Sequence, residues 1–583
     1  MKEDISPHTG SGVFSMQNDL KIKPSFYYDK YLFIALLTGL LFCLYGIHWG
    51  RYESWDPDQM AFHNRFPELK FPFNPQGFQK PPFHLYVNFI LCYVPLKTIN
   101  KLFLHLSASD LNIVMLIWSR ILIAGMFLGS IIIVYYITKR FYSIFAARAV
   151  AFIFSTSAGF ISESHLLTTD IPVTFWMLLS FFFAVNVLLK GKTVDYLLAG
   201  FFAGIATATK YNGLAIGIAI PVAHIFHFSR IQWTKIIVNR NLILGLFTVA
   251  IGFVIANPYS LLDYHRFVTD FNINYTVAPV LGVNTSGNNY FGFIQRIVEI
   301  IGFPSFMIIL VTCLYAIYLL FSKKILETEK KGILLFLVVF LIYYVKFGSF
   351  ARLPRRFVLP IVPYFLMMSG PFWRKWNNNR KIIYIILILV VGYNIVCDYY
   401  VGSRFSNDPR MEAQVWVKEN LQPGSSIETE SYSTNLMKGG FCPSWNKIPG
   451  VQLNEINMPD FDGRNLLFRE KFKSNNLILG TLDSVKEDGK KASWYSFEQL
   501  LARRPDYIAI NSLEYKGFIN GDKGKYYPSI KTYFINLLEE KYPYKIVFDR
   551  TSYQGPWWVY PKDILFLDNR MTIFKRNDII LKN

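Results

Sequence analysis

The chain has 583 residues, of which 52% are hydrophobic and only 17% are charged. Soluble domains carry about 25% charged residues, so this composition excludes an ordinary soluble enzyme and indicates a polytopic membrane protein. The formal net charge of +20 arises largely from Lys and Arg in short segments between apolar runs. That distribution follows the positive-inside rule and argues against a nucleic-acid partner. The five cysteines show no CxxC spacing, so neither a zinc site nor a disulfide framework is predicted.

Eleven apolar runs are predicted to cross the bilayer. They are residues 31–48, 112–137, 145–161, 171–189, 195–209, 213–228, 240–257, 298–321, 332–347, 356–370 and 382–398. Residues 1–25 show no signal-peptide pattern, so the first run is expected to remain as an uncleaved span. Lys21, Lys23 and Lys30 place residues 1–30 in the cytoplasm as a short tail. Basic residues mark five further segments as cytoplasmic, at 139–148, 190–192, 230–240, 323–331 and 374–381.

Residues 83–104 are also apolar, but they are interrupted by Lys97 and Lys101. The positive-inside assignments agree with one another only if this segment does not cross, so we expect a helix on, or dipping into, the outer face. The predicted fold is therefore mostly α, with eleven transmembrane helices and one outer juxtamembrane helix. The odd number of spans places the C-terminal segment outside.

From about residue 399 the composition becomes polar, and short strand-like runs appear. Strands are predicted at 426–430, 507–511, 544–548 and 571–575, and helical spacing predicts a helix over 530–541. Residues 399–583 are long enough to bury a core of their own. We predict a small extracytoplasmic α/β domain.

Acidic residues directly follow the first span, in the order Trp55, Asp56, Pro57, Asp58. A carboxylate at this boundary is a candidate general base for an acceptor hydroxyl, or a ligand for a divalent metal. The alternative is a loop acid that caps the start of a helix. Lys80 precedes two prolines, which suit the first turn of a helix. It is either a solvated lysine or a point charge that holds a phosphate.

Polar residues also collect in two later segments assigned to the outer face. Glu163, His165 and Asp170 lie between two spans and are candidate acid, base or substrate-binding groups. The alternative for Asp170 is an N-cap in front of Pro172. Lys210 lies between two spans that are short for a full crossing, so it either snorkels or points into a cavity.

Three arginines, Arg352, Arg355 and Arg356, lie in a further outer segment. Guanidinium groups suit bidentate phosphate binding, although contact with lipid headgroups would account for at least one of them. The positive-inside rule does not select the outer side for basic residues. A site for an anionic, membrane-embedded ligand supplies the reason.

The ordered motifs resemble the lipid-carrier-dependent glycosyltransferases of the GT-C fold. That group includes the protein O-mannosyltransferases and the bacterial enzymes that add aminoarabinose to lipid A. The motifs that carry the resemblance are Asp58-Gln59, Gln79-Lys80-Pro81-Pro82, Asp170, Thr209-Lys210 and Arg356-Phe357-Val358-Leu359-Pro360. The segments Asn257–Asp263, with Tyr259, and Asp408–Ala413 also look familial. Together these motifs extend over nearly the whole chain.

The resemblance implies an inverting transferase with its catalytic domain in residues 31–398. Such an enzyme moves a sugar from a polyprenyl-phosphate donor to a lipid, polysaccharide or protein acceptor on the outer face of a prokaryotic inner membrane. Asp58, or Asp56, would be the base, and Asp170 would orient the acceptor or the base. Lys80, Lys210 and one of the three arginines would bind the donor phosphate.

The sequence departs from the family pattern at two positions. Gln59 and Gln79 replace acids of the family, so the expectation of a divalent metal is weakened. A transporter or flippase of a lipid-linked anionic sugar would use the same cations. It is disfavoured because no inverted repeat is present and the polar residues collect on one face.

Overall fold

The computed structural model describes residues 29–50, 55, 66, 69, 71–228, 239–277, 288–322, 325–375, 380–421, 425–429, 452–455, 495–521, 524, 528–553, 555–561, 564, 567 and 569–580. Most of the described residues up to about 420 are helical, and a sheet with helices follows. This agrees with the predicted mostly α membrane protein that carries a small C-terminal α/β region.

The helices of the N-terminal part are α1 (Lys30–Leu44), α2 (Phe83–Leu104), α3 (Ala108–Phe141), α4 (Ile144–Ser155), α5 (Ala158–Ser164), α6 (Asp170–Lys190), α7 (Thr193–Thr209), α8 (Ala219–His227), α9 (Arg240–Ala256), α10 (Tyr259–Leu262), α11 (Tyr264–Val277), α12 (Tyr290–Ile301), α13 (Phe303–Leu320), α14 (Glu327–Gly348), α15 (Arg355–Val358), α16 (Val362–Met368), α17 (Gly370–Lys375), α18 (Arg380–Ser406) and α19 (Pro409–Asn420). Two 3₁₀ helices, Tyr211–Ile218 and Leu359–Ile361, precede α8 and α16.

Every predicted span coincides with one or more of these helices, but four are interrupted. Residues 145–161 bend by 54° between α4 and α5. Residues 213–228 begin in a 3₁₀ helix, residues 298–321 divide at Gly302, where φ is +79°, and residues 356–370 form short pieces. Among the described residues, six helices, or seven with the bent pair, are long and apolar enough to cross a membrane, and four apolar helices are shorter. The count of eleven stays a prediction.

Helices α3 and α6 run in the same direction and define the two ends of the bundle. A Cβ atom on Gly129 would lie 2.7 Å from the ring of Phe175, and eleven residues further along each helix Arg140 donates to Asn186 at 2.6 Å. At 1.5 Å per residue, the 21 residues of α6 separate its two ends by roughly 30 Å, the thickness of a bilayer core. We call these the Asp170 end and the Lys190 end.

Segments predicted to be cytoplasmic lie together at the Lys190 end. Arg148 pairs with Asp29 at 3.0 Å, and Tyr135, near the C-terminus of α3, donates to the same carboxylate at 2.5 Å. Arg374 pairs with Glu329, and Glu329 lies close to Tyr142, the residue that follows α3. The predicted grouping of these loops on one face is therefore present in the structure.

Helix α2 is long and apolar enough to cross by itself, yet both of its ends lie at the Asp170 end. It starts just after Lys80, and it leads into α3. Gly129 and Phe175 lie at the same level, and α3 begins 21 residues before Gly129 whereas Asp170 lies five residues before Phe175. The first residue of α3 therefore lies roughly 24 Å beyond the level of Asp170. Only 17% of the most apolar 18-residue stretch of α2 is buried inside the protein. This placement is consistent with the predicted juxtamembrane helix.

Helices α7 and α9 pack with their backbones almost in contact. A Cβ atom on Gly200 would lie 1.9 Å from the carbonyl oxygen of Gly245, and one on Gly204 would lie 2.2 Å from that of Val249. Glycines four residues apart form a flat strip on one helix face, and this small-residue spacing allows close approach within a membrane. The packing fixes the C-terminal end of α7, from which Lys210 projects.

Among the described residues, the C-terminal part contains a sheet of five strands with the order β2-β1-β3-β5-β4. The elements are β1 (Ser426–Thr429), β2 (Gln452–Glu455), α20 (Phe497–Arg503), β3 (Tyr507–Asn511), α21 (Ser512–Ile519), α22 (Pro528–Leu538), β4 (Tyr544–Thr551), β5 (Arg570–Arg576) and α23 (Asn577–Ile580). Strands β2, β1 and β3 are parallel, whereas β5 pairs antiparallel with both β3 and β4. The four predicted strands and the predicted helix are present, the strand at 507–511 with the predicted ends and the others with shifted ends, and β2 was not predicted.

Candidate active site

A buried ion pair lies at the Asp170 end of the bundle. Asp170 occupies the first turn of α6 and is 2% exposed. Lys210 directly follows α7, and its Nζ lies 2.5 Å from Asp170 Oδ1. Thr169 occupies the N-cap position, so the alternative that Asp170 caps the helix is wrong. Lys210 points inward to a carboxylate and does not snorkel to the surface.

A second buried pair lies beside the first. Arg355, at the start of α15, donates from Nη2 to Ser162 Oγ at 3.0 Å and to Glu163 Oε1 at 3.3 Å. The Arg355 and Glu163 side chains are only 9% and 8% exposed. Asp170 and Arg356 are both among the charges that act on Glu163, so the two pairs belong to one electrostatic site.

Lys80 completes the site from the loop in front of α2. It is half-buried, and together with Arg356 it is among the positive charges that act on Lys210. Pro81 and Pro82 precede the first helical residue, Phe83, as predicted for a helix start. We call Lys80, Glu163, Asp170, Lys210, Arg355 and Arg356 the charged cluster.

The charged cluster has a formal excess of two positive charges, since it contains four cations and two acids. Such an excess in a partly buried site attracts an anion, because electrostatic interactions weaken less there than in water. Asp170 holds Lys210 and Glu163 holds Arg355, so two of the four cations have fixed positions.

Uncharged residues that the sequence reasoning missed connect the cluster. Asn212 Nδ2 donates to Tyr343 Oη at 2.9 Å, and Tyr343 Oη donates to the Phe357 carbonyl at 2.8 Å. The ring of Phe357 lies 5.0 Å from Lys210 Nζ, within cation–π range. Asn212 could have been noticed because it follows Lys210 by two residues, whereas Tyr343 had no sequence signal.

Two candidate residues, His165 and Tyr259, have other positions. His165 is fully buried, with its ring nitrogens 2.8 Å from the Ile161 carbonyl and 2.9 Å from the Tyr45 carbonyl. Its ring stacks on Phe405, so it is held between helices. Tyr259 donates to the carbonyl of Pro72 and so holds the loop before Lys80. Arg352 is half-buried in the loop between α14 and α15.

The base candidates Asp56 and Asp58 lie outside the described residues, but the residue before them is described. Trp55 packs edge-on against Trp49, with ring centroids 5.6 Å apart, and Arg410 lies 4.2 Å from the Trp55 ring. Arg410 is held by Asp408 through bonds of 2.9 and 2.7 Å, and Trp49 Nε1 donates to the same carboxylate at 2.9 Å. The start of the acidic loop is thus attached to the start of α19.

A divalent metal is not favoured by the described acids. Within the described part of the chain, no group of three His, Cys, Asp or Glu side chains is arranged to hold a metal ion. Glu163 and Asp170 are each paired with a cation, which does not fit a metal ligand. Asp56 and Asp58 are not among these residues.

The matched region of a family model contains half of the charged cluster. Residues 99–259 match the family described as dolichyl-phosphate-mannose-protein mannosyltransferase. This segment includes Glu163, Asp170 and Lys210, and it ends at Tyr259. The match confirms the predicted resemblance to lipid-carrier glycosyltransferases and, with it, the predicted enzyme class. No curated protein sequence matches the chain.

Solved structures of low sequence identity resemble the chain over most of its length. ArnT from Cupriavidus metallidurans bound to undecaprenyl phosphate is 11% identical, with a TM-score of 0.47, over 93% of this chain and 97% of that one. The apo state of the same protein gives 11% identity, a TM-score of 0.48, and coverage of 94% and 98%. The oligosaccharyltransferase AglB from Archaeoglobus fulgidus, with an inhibitory peptide and a dolichol-phosphate, is 14% identical, with a TM-score of 0.44, over 92% and 75%.

Proposed function

We propose that this integral membrane protein is an inverting glycosyltransferase that takes a sugar from a polyprenyl-phosphate donor. The acceptor is a lipid, polysaccharide or protein hydroxyl at the outer face of a prokaryotic inner membrane, and the Asp170 end is that face. The observation that carries the proposal is the charged cluster, with Lys210 held by Asp170 and with Lys80 and Arg356 nearby.

The charge of the cluster matches the change in charge of the donor. A polyprenyl-phosphate sugar is a phosphodiester with one negative charge, whereas the released polyprenyl phosphate carries about −1.5 to −2 at pH 7. The two excess positive charges therefore interact more strongly with the departing phosphate than with the intact donor. Differential stabilisation of this kind accelerates the chemical step.

In the proposed step, the acceptor oxygen attacks the anomeric carbon from the face opposite the phosphate, and the bond from that carbon to the phosphate oxygen breaks. The electron pair of that bond stays with the phosphate, near Lys80, Lys210 and one of the three arginines. Asp58 takes the proton of the acceptor hydroxyl, with Asp56 as the alternative base. Asp170 keeps Lys210 in position for the phosphate.

The test uses purified protein in lipid nanodiscs with polyprenyl lipids extracted from the native cells and a crude envelope fraction as acceptor. Mass spectrometry follows the conversion of polyprenyl-phosphate sugar to polyprenyl phosphate. Wild-type protein and the surface control Glu539→Gln should cleave the donor, and Asp58→Asn should not. Full activity in both Asp58→Asn and Asp56→Asn would refute the assignment of the base.

A second experiment tests the alternative of a transporter or flippase for a lipid-linked anionic sugar. In sealed vesicles, such a protein would move the intact lipid across the membrane without breaking the bond to the sugar. Transport without cleavage would therefore reject the transferase, whereas loss of the sugar would support it and its mass would identify the sugar class.

A further inference from the structure

The loop that carries Lys80 is held by hydrogen bonds along its backbone and side chains. Asn74 Nδ2 donates to Asp263 at 3.1 Å. The Phe78 peptide is held on both sides, because its N–H donates to Asp270 at 2.7 Å and its carbonyl accepts from Tyr211 at 2.6 Å. The next carbonyl, that of Gln79, accepts from the side chain of Asn274.

Apart from Tyr211, the side chains that bind this loop come from a single face of α11 and from the residue before it. Asp263, Asp270 and Asn274 are separated by seven and four residues, a spacing that places them on the same side of a helix. Two aromatic residues of the same face add packing: Phe267 lies 5.8 Å from the Phe78 ring, and Phe271 lies 4.9 Å from the Tyr211 ring. Helix α11 therefore contacts both the Lys80 loop and the residue that follows Lys210.

Tyr211 connects the two lysines through short stretches of backbone. It follows Lys210 directly, and its hydroxyl holds the carbonyl of Phe78, two residues before Lys80. Two ammonium groups that act on each other repel, and the repulsion grows as the surroundings become less polar. The hydrogen bonds to the Phe78 and Gln79 peptides oppose this repulsion by holding the loop in place.

We propose that Asp270, Asn274 and Tyr211 are positioning residues that hold Lys80 beside Lys210, so that the two ammonium groups form a preorganised site for the donor phosphate. This inference rests on the proposed function, because it assigns the ligand of Lys80 to the polyprenyl phosphate. Preorganisation raises affinity, because the loop is ordered before the ligand binds.

The test compares variants that remove a bond with variants that keep it. Asp270→Ala removes the acceptor for the Phe78 N–H, whereas Asp270→Asn retains a side-chain oxygen at the same position. Tyr211→Phe removes only the hydroxyl that joins the loop to the Lys210 segment. Thr269→Ala, on the exposed side of α11, is the matched control.

Two measurements on the full-length protein in nanodiscs are combined. Hydrogen exchange of peptides covering residues 71–80 reports the loop without any need for activity. Binding of polyprenyl phosphate alone reports the phosphate site. For Asp270→Ala and Tyr211→Phe we expect faster exchange in the loop and binding weakened about tenfold, the size of one lost charge-assisted or buried hydrogen bond. Asp270→Asn and Thr269→Ala should behave like wild type.

The outcomes separate this inference from the proposed function. Faster loop exchange with unchanged binding in Asp270→Ala would overturn the positioning role, and so would a loss in Asp270→Asn equal to that in Asp270→Ala. Wild-type protein that does not bind polyprenyl phosphate would refute the proposed function, and the positioning role would be rejected with it. Protection of residues 71–80 would still be measurable in that case.

Discussion

Removal of the Lys210 ammonium, by Lys210→Met, is the most direct test of the buried pair at the Asp170 end. The variant keeps the length and apolar stem of the side chain but leaves the Asp170 carboxylate, which is 2% exposed, without its cation. Breaking a fully buried pair in this way costs about 3–5 kcal/mol. Lys210 keeps 20% of its side chain exposed, so we expect the lower part of that range, about 3 kcal/mol.

The loss of donor cleavage should be about 100-fold or more, because a positive charge at the departing phosphate is removed.

The double variant Asp170→Asn with Lys210→Met separates stability from chemistry. With both charges absent, nothing buried is left uncompensated, and we expect stability to return to within about 1 kcal/mol of wild type. Donor cleavage should remain at the level of the single Lys210→Met variant. The two measurements are thermal unfolding in nanodiscs and mass spectrometry of the donor lipid.

Two results would refute this reasoning. Recovery of cleavage in the double variant would mean that Lys210 serves only to neutralise Asp170 and has no role toward the phosphate. Wild-type unfolding and wild-type cleavage in Lys210→Met would mean that the pair at 2.5 Å contributes neither to the fold nor to the chemistry.

The remaining predictions concern packing, the acidic loop and the C-terminal sheet. Gly204→Val should greatly reduce the yield of folded protein, because the valine side chain would meet the backbone of α9. Gly217→Ala should be tolerated, because no atom lies within 4 Å of the added Cβ. Size-exclusion chromatography measures the yield of folded protein for both variants. Arg410→Lys should lower donor cleavage at least tenfold, because lysine lacks the planar group that contacts Trp55, the residue before Asp56, and that binds a carboxylate twice. Hydrogen exchange of β3–β5 should stay unchanged. A hydrogen bond from Arg570 of β5 lowers the pKa of Asp549 below its ordinary value. The contribution of this carboxylate to stability is therefore present at neutral pH and is lost as the pH falls through that lowered pKa. Since both partners are over a third exposed, we expect less than about 1 kcal/mol, with the unfolding curves of wild type and Asp549→Asn converging at acid pH.

The apolar helices were predictable because each depends on local composition, whereas the number of spans and their sides of the membrane stay predictions. The length of an apolar run shows whether it could cross a bilayer, and basic residues mark the segments between runs. The predicted strands were found for the same reason, since alternation and strand-forming residues are local signals. Strand β2 was missed because four residues, Gln452–Glu455, carry little of either signal.

All six members of the charged cluster were named from the sequence, because charged side chains at one end of a membrane bundle need a ligand or a partner, and their roles stay predictions. Their partners were not predictable. His165 illustrates this, since a polar residue in an outer segment suggested a substrate-binding group, whereas packing places it between the carbonyls of Ile161 and Tyr45. Helix α11 was likewise unremarkable in sequence, because its contacts are with a loop 192 residues earlier in the chain.

By itself, the sequence determined that this chain is a membrane protein with a polar C-terminal part and with its unusual cations gathered at one end. The tertiary structure decided which charges meet, as it joins Asp170 to Lys210 across 40 residues and Glu163 to Arg355 across 192. The physical reason is that hydropathy and charge are properties of each segment taken alone. An ion pair depends on how the helices that carry its two residues are placed, and the close contact of the α7 and α9 glycines, for example, fixes the end of α7 from which Lys210 projects.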